Sequence, residues 1–137
     1  MARRANKRGI ERDITEAMAI HYVAAELSRR DWRVFLPLSG RVRGYDFVAW
    51  KGRKSRRVEV TGLRSSGPVA WRKPLEPDVM IVAVRALNDS PPEYYVGTAA
   101  EFNKAIGYNE QRDWKPWQDK DSARWLNRWE KFDSKSR

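Results

Sequence analysis

The sequence predicts one α/β domain built on a mixed sheet. Three observations carry that reading. An amphipathic helical segment comes first, short strand-like runs follow it, and one of these, "DVMIVAV" (78–84), is apolar at every position after Asp78. A strand of that kind is covered on both faces, as in layered α/β folds. The 137 residues suit one domain with a core of its own.

Residues 1–9 carry Arg3, Arg4, Lys7 and Arg8 with little to bury, which predicts a flexible basic arm. From about Ile10 to Arg30, Ile20, Val23, Ala24 and Leu27 fall on one helical face, with Ala17 and Glu16 further up it. "WRVFLPL" (32–38) is a predicted strand, and Gly40 and Gly44 punctuate the loop after it.

"YDFVAWKGRKSRRVEV" (45–60) has the two-residue period of a hairpin, with Gly52 as the turn residue. Tyr45, Phe47 and Ala49 share one face with Val58 and Val60. Asp46, Val48, Trp50, Arg57, Glu59 and Thr61 share the other. A turn centred between Gly52 and Arg53 sets Phe47 opposite Val58 and Asp46 opposite Glu59. A slip of one residue would turn the apolar side chains to the wrong face.

Residues 62–77 form a loop rich in Gly, Ser and Pro, and "EYYVG" (93–97) is a further strand. Thr98 and Glu101 have the spacing of a capping box, which opens a helix to about Ile106. Residues 107–120 are irregular. A last, Trp-rich helix starts near Asp121 or Ser122, with Trp125, Trp129 and Phe132 on one side, and residues 133–137 form a polar tail. The single domain is expected to span 10–132.

The net charge of +10 points to a polyanionic partner, nucleic acid before an anionic membrane surface. The absence of cysteine excludes disulfides and thiolate metal sites and fits a reducing cytoplasm. No apolar run is long enough to cross a bilayer, so no membrane role is expected.

Two carboxylates facing each other on a sheet repel. A divalent cation relieves the repulsion, since Mg²⁺ takes oxygen ligands from one or two carboxylates plus water. On a phosphodiester, that ion neutralises developing charge and generates a nucleophile from water. The alternative is that Asp46 or Glu59 pairs with Arg57, Arg43 or Arg64 on the surface, a contact of small energetic weight.

The order helix, strand, "GYDFVAW", turn, "RRVEVTG" resembles the PD-(D/E)xK, or restriction-endonuclease-like, nuclease superfamily, and is most similar to its Holliday-junction-resolvase-like and Mrr-like branches. The resemblance covers roughly residues 10–106. It implies an αβββαβ core with a mixed central sheet flanked by helices, and Mg²⁺- or Mn²⁺-dependent hydrolysis of DNA. Asp46 and Glu59 match the metal-binding acids. Thr61 stands where the motif has its lysine, and a hydroxyl supplies no positive charge. Glu16 is placed to serve as the helix acid, one turn before the position that spacing favours.

Arg3, Arg4, Lys7, Arg8, Arg43, Arg64 and Lys73 are the expected nucleic-acid contacts, with DNA favoured over RNA. Cutting two strands would favour a homodimer. A non-catalytic nucleic-acid-binding module on the same scaffold is the alternative. His21, the single histidine, is expected to be structural or solvent-facing. Trp125 and Trp129 are expected to pack, while Trp50 either flanks nucleic acid or packs under the first helix.

Overall fold

The computed structural model describes residues 2–37, 45–65, 78–89, 91–106 and 123–134, without the side chains of 2–9, 12, 105 and 106. Arg43, Lys73, Trp71, Trp114 and Trp117 lie outside the described residues, as do the side chains of Arg3, Arg4, Lys7 and Arg8. The fold is α/β: helix α1 (Ala2–Arg29), strands β1 (Arg33–Phe35), β2 (Phe47–Lys51), β3 (Lys54–Gly62), β4 (Met80–Arg85) and β5 (Glu93–Thr98), and helix α2 (Ala99–Ile106). The five strands form one mixed sheet in the order β1-β2-β3-β4-β5. Only the β3–β4 pair is parallel.

Helix α1 starts at Ala2 and so includes the segment expected to be a flexible arm. Residues 2–8 are Ala, Arg, Arg, Ala, Asn, Lys and Arg, mostly strong helix formers, and proline is absent. The helix closes with Asp31 in the left-handed region (φ 70°). The amide of Trp32 donates to Leu27 O and that of Asp31 to Ser28 O, the paired bonds of a Schellman ending. Trp32 and Leu27 are both buried beside it.

The hairpin has the expected register, with Phe47 opposite Val58 and Lys51 opposite Lys54 across the turn. Gly52 has φ +61°, the conformation a two-residue hairpin turn requires. Val58 and Val60 join Ala19, Val23 and Leu27 of α1 in one core layer. Gly62 lets the helix approach closely: a Cβ built there would lie 2.7 Å from Ala19 Cβ.

Strand β4 is buried on both faces, as the apolar run from Val79 to Val84 predicts, and Arg85 at its end is buried as well. Its alternate residues Ile81 and Ala83 belong to a second core layer with Phe102 of α2. The capping box at α2 is formed: Glu101 N donates to Thr98 Oγ1 at 3.2 Å and Thr98 N to Glu101 Oε1 at 3.1 Å.

The αβββαβ order places a helix between the third and fourth strands; residues 66–77 there lie outside the described residues, and the described helix α2 follows β5. One expectation is corrected. The C-terminal Trp-rich segment is not an α-helix. Val96 N donates to Trp125 O and Asn127 N to Tyr94 O, so the chain runs along the outer edge of β5. Asn127 then takes φ 55°, and a 3₁₀ helix (Trp129–Phe132) follows. Unpaired edge groups of a sheet outweigh a helical spacing here. Trp125 enters the α2 layer while Trp129 and Phe132 enter the α1 layer. The expected packing role holds, but on two sides of the sheet rather than one side of a helix.

The first residues of the expected polar tail are anchored by the hairpin. Lys51 Nζ lies 3.2 Å from Asp133 Oδ1, Lys54 Nζ donates to Asp133 O, and Arg56 donates to Phe132 O and Ser134 O.

Candidate acidic site at the fork of β2 and β3

Asp46 and Glu59 lie where β2 parts from β3. The ladder ends at Phe47–Val58, one pair short of the acids, because the chain bends at Asp46. Asp46 N donates to Val58 O at 2.8 Å, and its carboxylate Oδ2 accepts from Val60 N at 2.7 Å. Both partners are edge groups of β3 on the side facing β2. The Asp46 carboxylate therefore lies in the plane of the sheet, against the peptide joining Glu59 to Val60. Glu59 instead projects from a face. The direct cross-strand opposition expected from the alternation is replaced by this offset, which lets two acids share the fork without a like-charge β pair.

Glu59 and Thr61 are half-buried on the face away from α1, level with Ile81 and Ala83 of β4. Helix α2 covers β4 and β5 on that face. The same face continues through Arg57, whose guanidinium lies 5.7 Å from the Tyr45 ring centre and pairs with Asp78.

Glu16 sits on the other side of the sheet, half-buried on α1. Helical geometry puts it on the sheet-facing arc, between Val23 and Leu27 in projection. Arg64 reaches the same helix: its Nε donates to Thr15 Oγ1 at 2.9 Å.

Among the described residues, no three His, Cys, Asp or Glu side chains are grouped closely enough to hold a metal ion. The sheet thus places Asp46 and Glu59 on one peptide and leaves Glu16 in the helix layer above. Two carboxylates with water suit a hydrated Mg²⁺ or Mn²⁺ that completes its shell on phosphate, and do not make an all-protein cage.

His21 is exposed, in line with the solvent-facing reading. Trp50 does not pack under α1; it projects from the opposite face and is 45% exposed. It meets Phe35 of β1, an aromatic neighbour absent from the expected site. The signal lay in "RVF", where the alternation that buries Val34 turns Phe35 to the face of Trp50. Among the described residues, no helix is long and apolar enough to cross a membrane. Comparison with protein-family models, curated proteins and solved structures found no match for this chain.

Proposed function

We propose that this chain binds nucleic acid, DNA ahead of RNA, and hydrolyses phosphodiester bonds with a divalent cation held by Asp46 and Glu59. The observation that carries the reading is the Asp46 carboxylate seated on the Glu59–Val60 peptide in a chain of net charge +10. Acids gathered at a fork in so basic a chain suit a cation that bridges protein and phosphate. The resemblance to the PD-(D/E)xK superfamily supports it, as does the order α1, β1, β2, β3 with β4 beside β3.

When bound, Mg²⁺ or Mn²⁺ supplies positive charge to the phosphate and lowers the pKa of a water. The chain's own residues do the rest. Thr61, on the face of Glu59, orients water through its hydroxyl but adds no charge. Arg64, steadied by Thr15, offers a permanent cation to a phosphate oxygen. Glu16, in the helix layer on the other side of the sheet, is not grouped with Asp46 and Glu59. The cations that the sequence offers, among them Arg3, Arg4, Lys7, Arg8, Arg43 and Lys73, hold the strand by phosphate contacts. A symmetric dimer would present two forks to two strands.

A second reading is binding without cutting. Asp46 Oδ2 already satisfies a backbone amide, which is a reason for the acid that needs no metal. One assay separates the two. Labelled duplex, single strand and four-way junction are incubated with the protein in Mg²⁺, Mn²⁺ or EDTA, beside Asp46→Ala and Glu59→Ala. Metal-dependent cutting lost in both variants supports hydrolysis. Binding of these substrates with no cutting by the wild type selects the second reading.

A further inference from the structure

Phe35 and Trp50 form an aromatic pair in the open. They are 52% and 45% exposed, their ring centres lie 5.1 Å apart, and their planes cross at 86°. The register fixes both rings. Phe35 pairs with Val48 and Arg33 with Trp50, so all four side chains stand on one face. Val48 pairs with Arg57 and Trp50 with Ser55, which carries that face onto β3 and along it to Glu59 and Thr61. Strand spacing puts Phe35 about 12 Å from Glu59.

We infer that this pair is a stacking platform for the bases of a single-stranded nucleic acid, and that it leads the strand toward Glu59. The inference rests on the nucleic-acid reading above and names the form of substrate. Charge selects the occupant. On the face of the two rings, Arg33 stands opposite Trp50 on β1 and Arg57, which also pairs with Asp78, stands opposite Val48 on β3. Lys51, Lys54 and Arg56 turn instead to the C-terminal segment. Aromatic rings flanked by arginines in a chain of net charge +10 suit a strand whose phosphates meet the cations and whose bases meet the rings. A duplex hides its base faces and offers these rings nothing to stack on. A second copy of this chain would bring two such cationic hairpins together, which repel.

The test is fluorescence anisotropy in EDTA, so that no strand is cut, with labelled oligothymidine and a duplex of equal length. The variants are Phe35→Ala, Trp50→Leu and Trp50→Phe, each checked for an unchanged melting temperature. Phe35→Ala and Trp50→Leu should each weaken single-strand binding by about 5- to 150-fold, the range that base–aromatic stacking supports. Duplex affinity should stay within about twofold, since phosphate contacts carry it. Trp50→Phe keeps a π face and should retain most of the affinity.

Equal losses on both substrates, or no loss on the single strand, would overturn the platform. A wild-type protein that binds duplex and not single strand overturns it while leaving the nucleic-acid reading in place. A protein that binds neither overturns both. A wild-type dimer that Trp50→Leu dissociates, with single-strand affinity unchanged, would assign the face to a second copy instead.

Discussion

The carboxylate of Asp46 accepts a hydrogen bond from the amide of Val60 at 2.7 Å, where β2 leaves β3. Val60 is buried and its amide has lost the partner that a continued ladder would supply. Asp46 is thus both a candidate metal ligand and the cap of a strand edge.

These two roles separate by substitution. Asp46→Ala leaves the Val60 amide without its acceptor and should cost about 1–3 kcal/mol in urea unfolding. Asp46→Asn retains a carbonyl oxygen for that amide and should cost less. Both variants should lose metal-dependent cutting. Equal stability of the Ala and Asn proteins would argue against the capping role.

Gly62 sets the distance between α1 and β3. A methyl group there would sit 2.7 Å from Ala19 Cβ and 3.2 Å from Leu87 Cδ1. Gly62→Ala should destabilise by about 1–3 kcal/mol through overpacking. Ala19→Gly in the same chain removes the nearer clash and should recover part of the loss. A double-mutant cycle with no coupling would contradict the crossing.

Asp31 ends α1 with φ 70°, where a side chain is strained and glycine is not. Asp31→Gly should raise stability by about 1 kcal/mol, read as a higher urea midpoint with an unchanged slope. A fall in the midpoint would mean that the aspartate side chain holds the turn by contacts of its own.

Glu101 ties α2 to the C-terminal segment. Its Oε2 accepts from Lys131 Nζ at 2.8 Å, and its Oε1 from the Thr98 amide. Burial works against ionisation, but Lys131 and Thr98 outweigh it and hold the carboxyl below its ordinary value of 4.5. The folded state therefore favours the charged form. The stability this contributes is present above 4.5 and is lost as pH falls through the lowered value. Urea midpoints between neutral pH and about pH 3 should fall more steeply for the wild type than for Glu101→Gln. Tyr94 gives the opposite sign. Burial, then the nearby Glu26, pushes its phenol up to about 12, so its contribution is intact below 10.0 and is lost on the alkaline side.

Much of this fold is legible in local pattern. The alternation of "YDFVAWKGRKSRRVEV" with Gly52 gives the hairpin and its register, and Thr98 with Glu101 gives the start of α2. What local pattern conceals is competition for backbone groups. The amide of Val60 draws in Asp46 and ends the ladder. The outer edge of β5 draws in Trp125 and Asn127 and overrides a helical spacing. The candidate acids were legible as residue types on adjacent strands, but the in-plane placement of one and the facial placement of the other depend on that bend. Phe35 was legible as a strand residue, and its role beside Trp50 became visible only with the β1–β2 register.

The central claim is that the fork acids act on a phosphodiester through a bound cation. The most direct measurement is the rate of product formation from labelled substrate by wild type and Glu59→Gln, in Mg²⁺ and in EDTA, with melting temperatures recorded alongside. The account predicts cutting by the wild type that EDTA abolishes and that Glu59→Gln loses without unfolding. Undiminished cutting by Glu59→Gln, or no cutting of any substrate by the wild type, would contradict it.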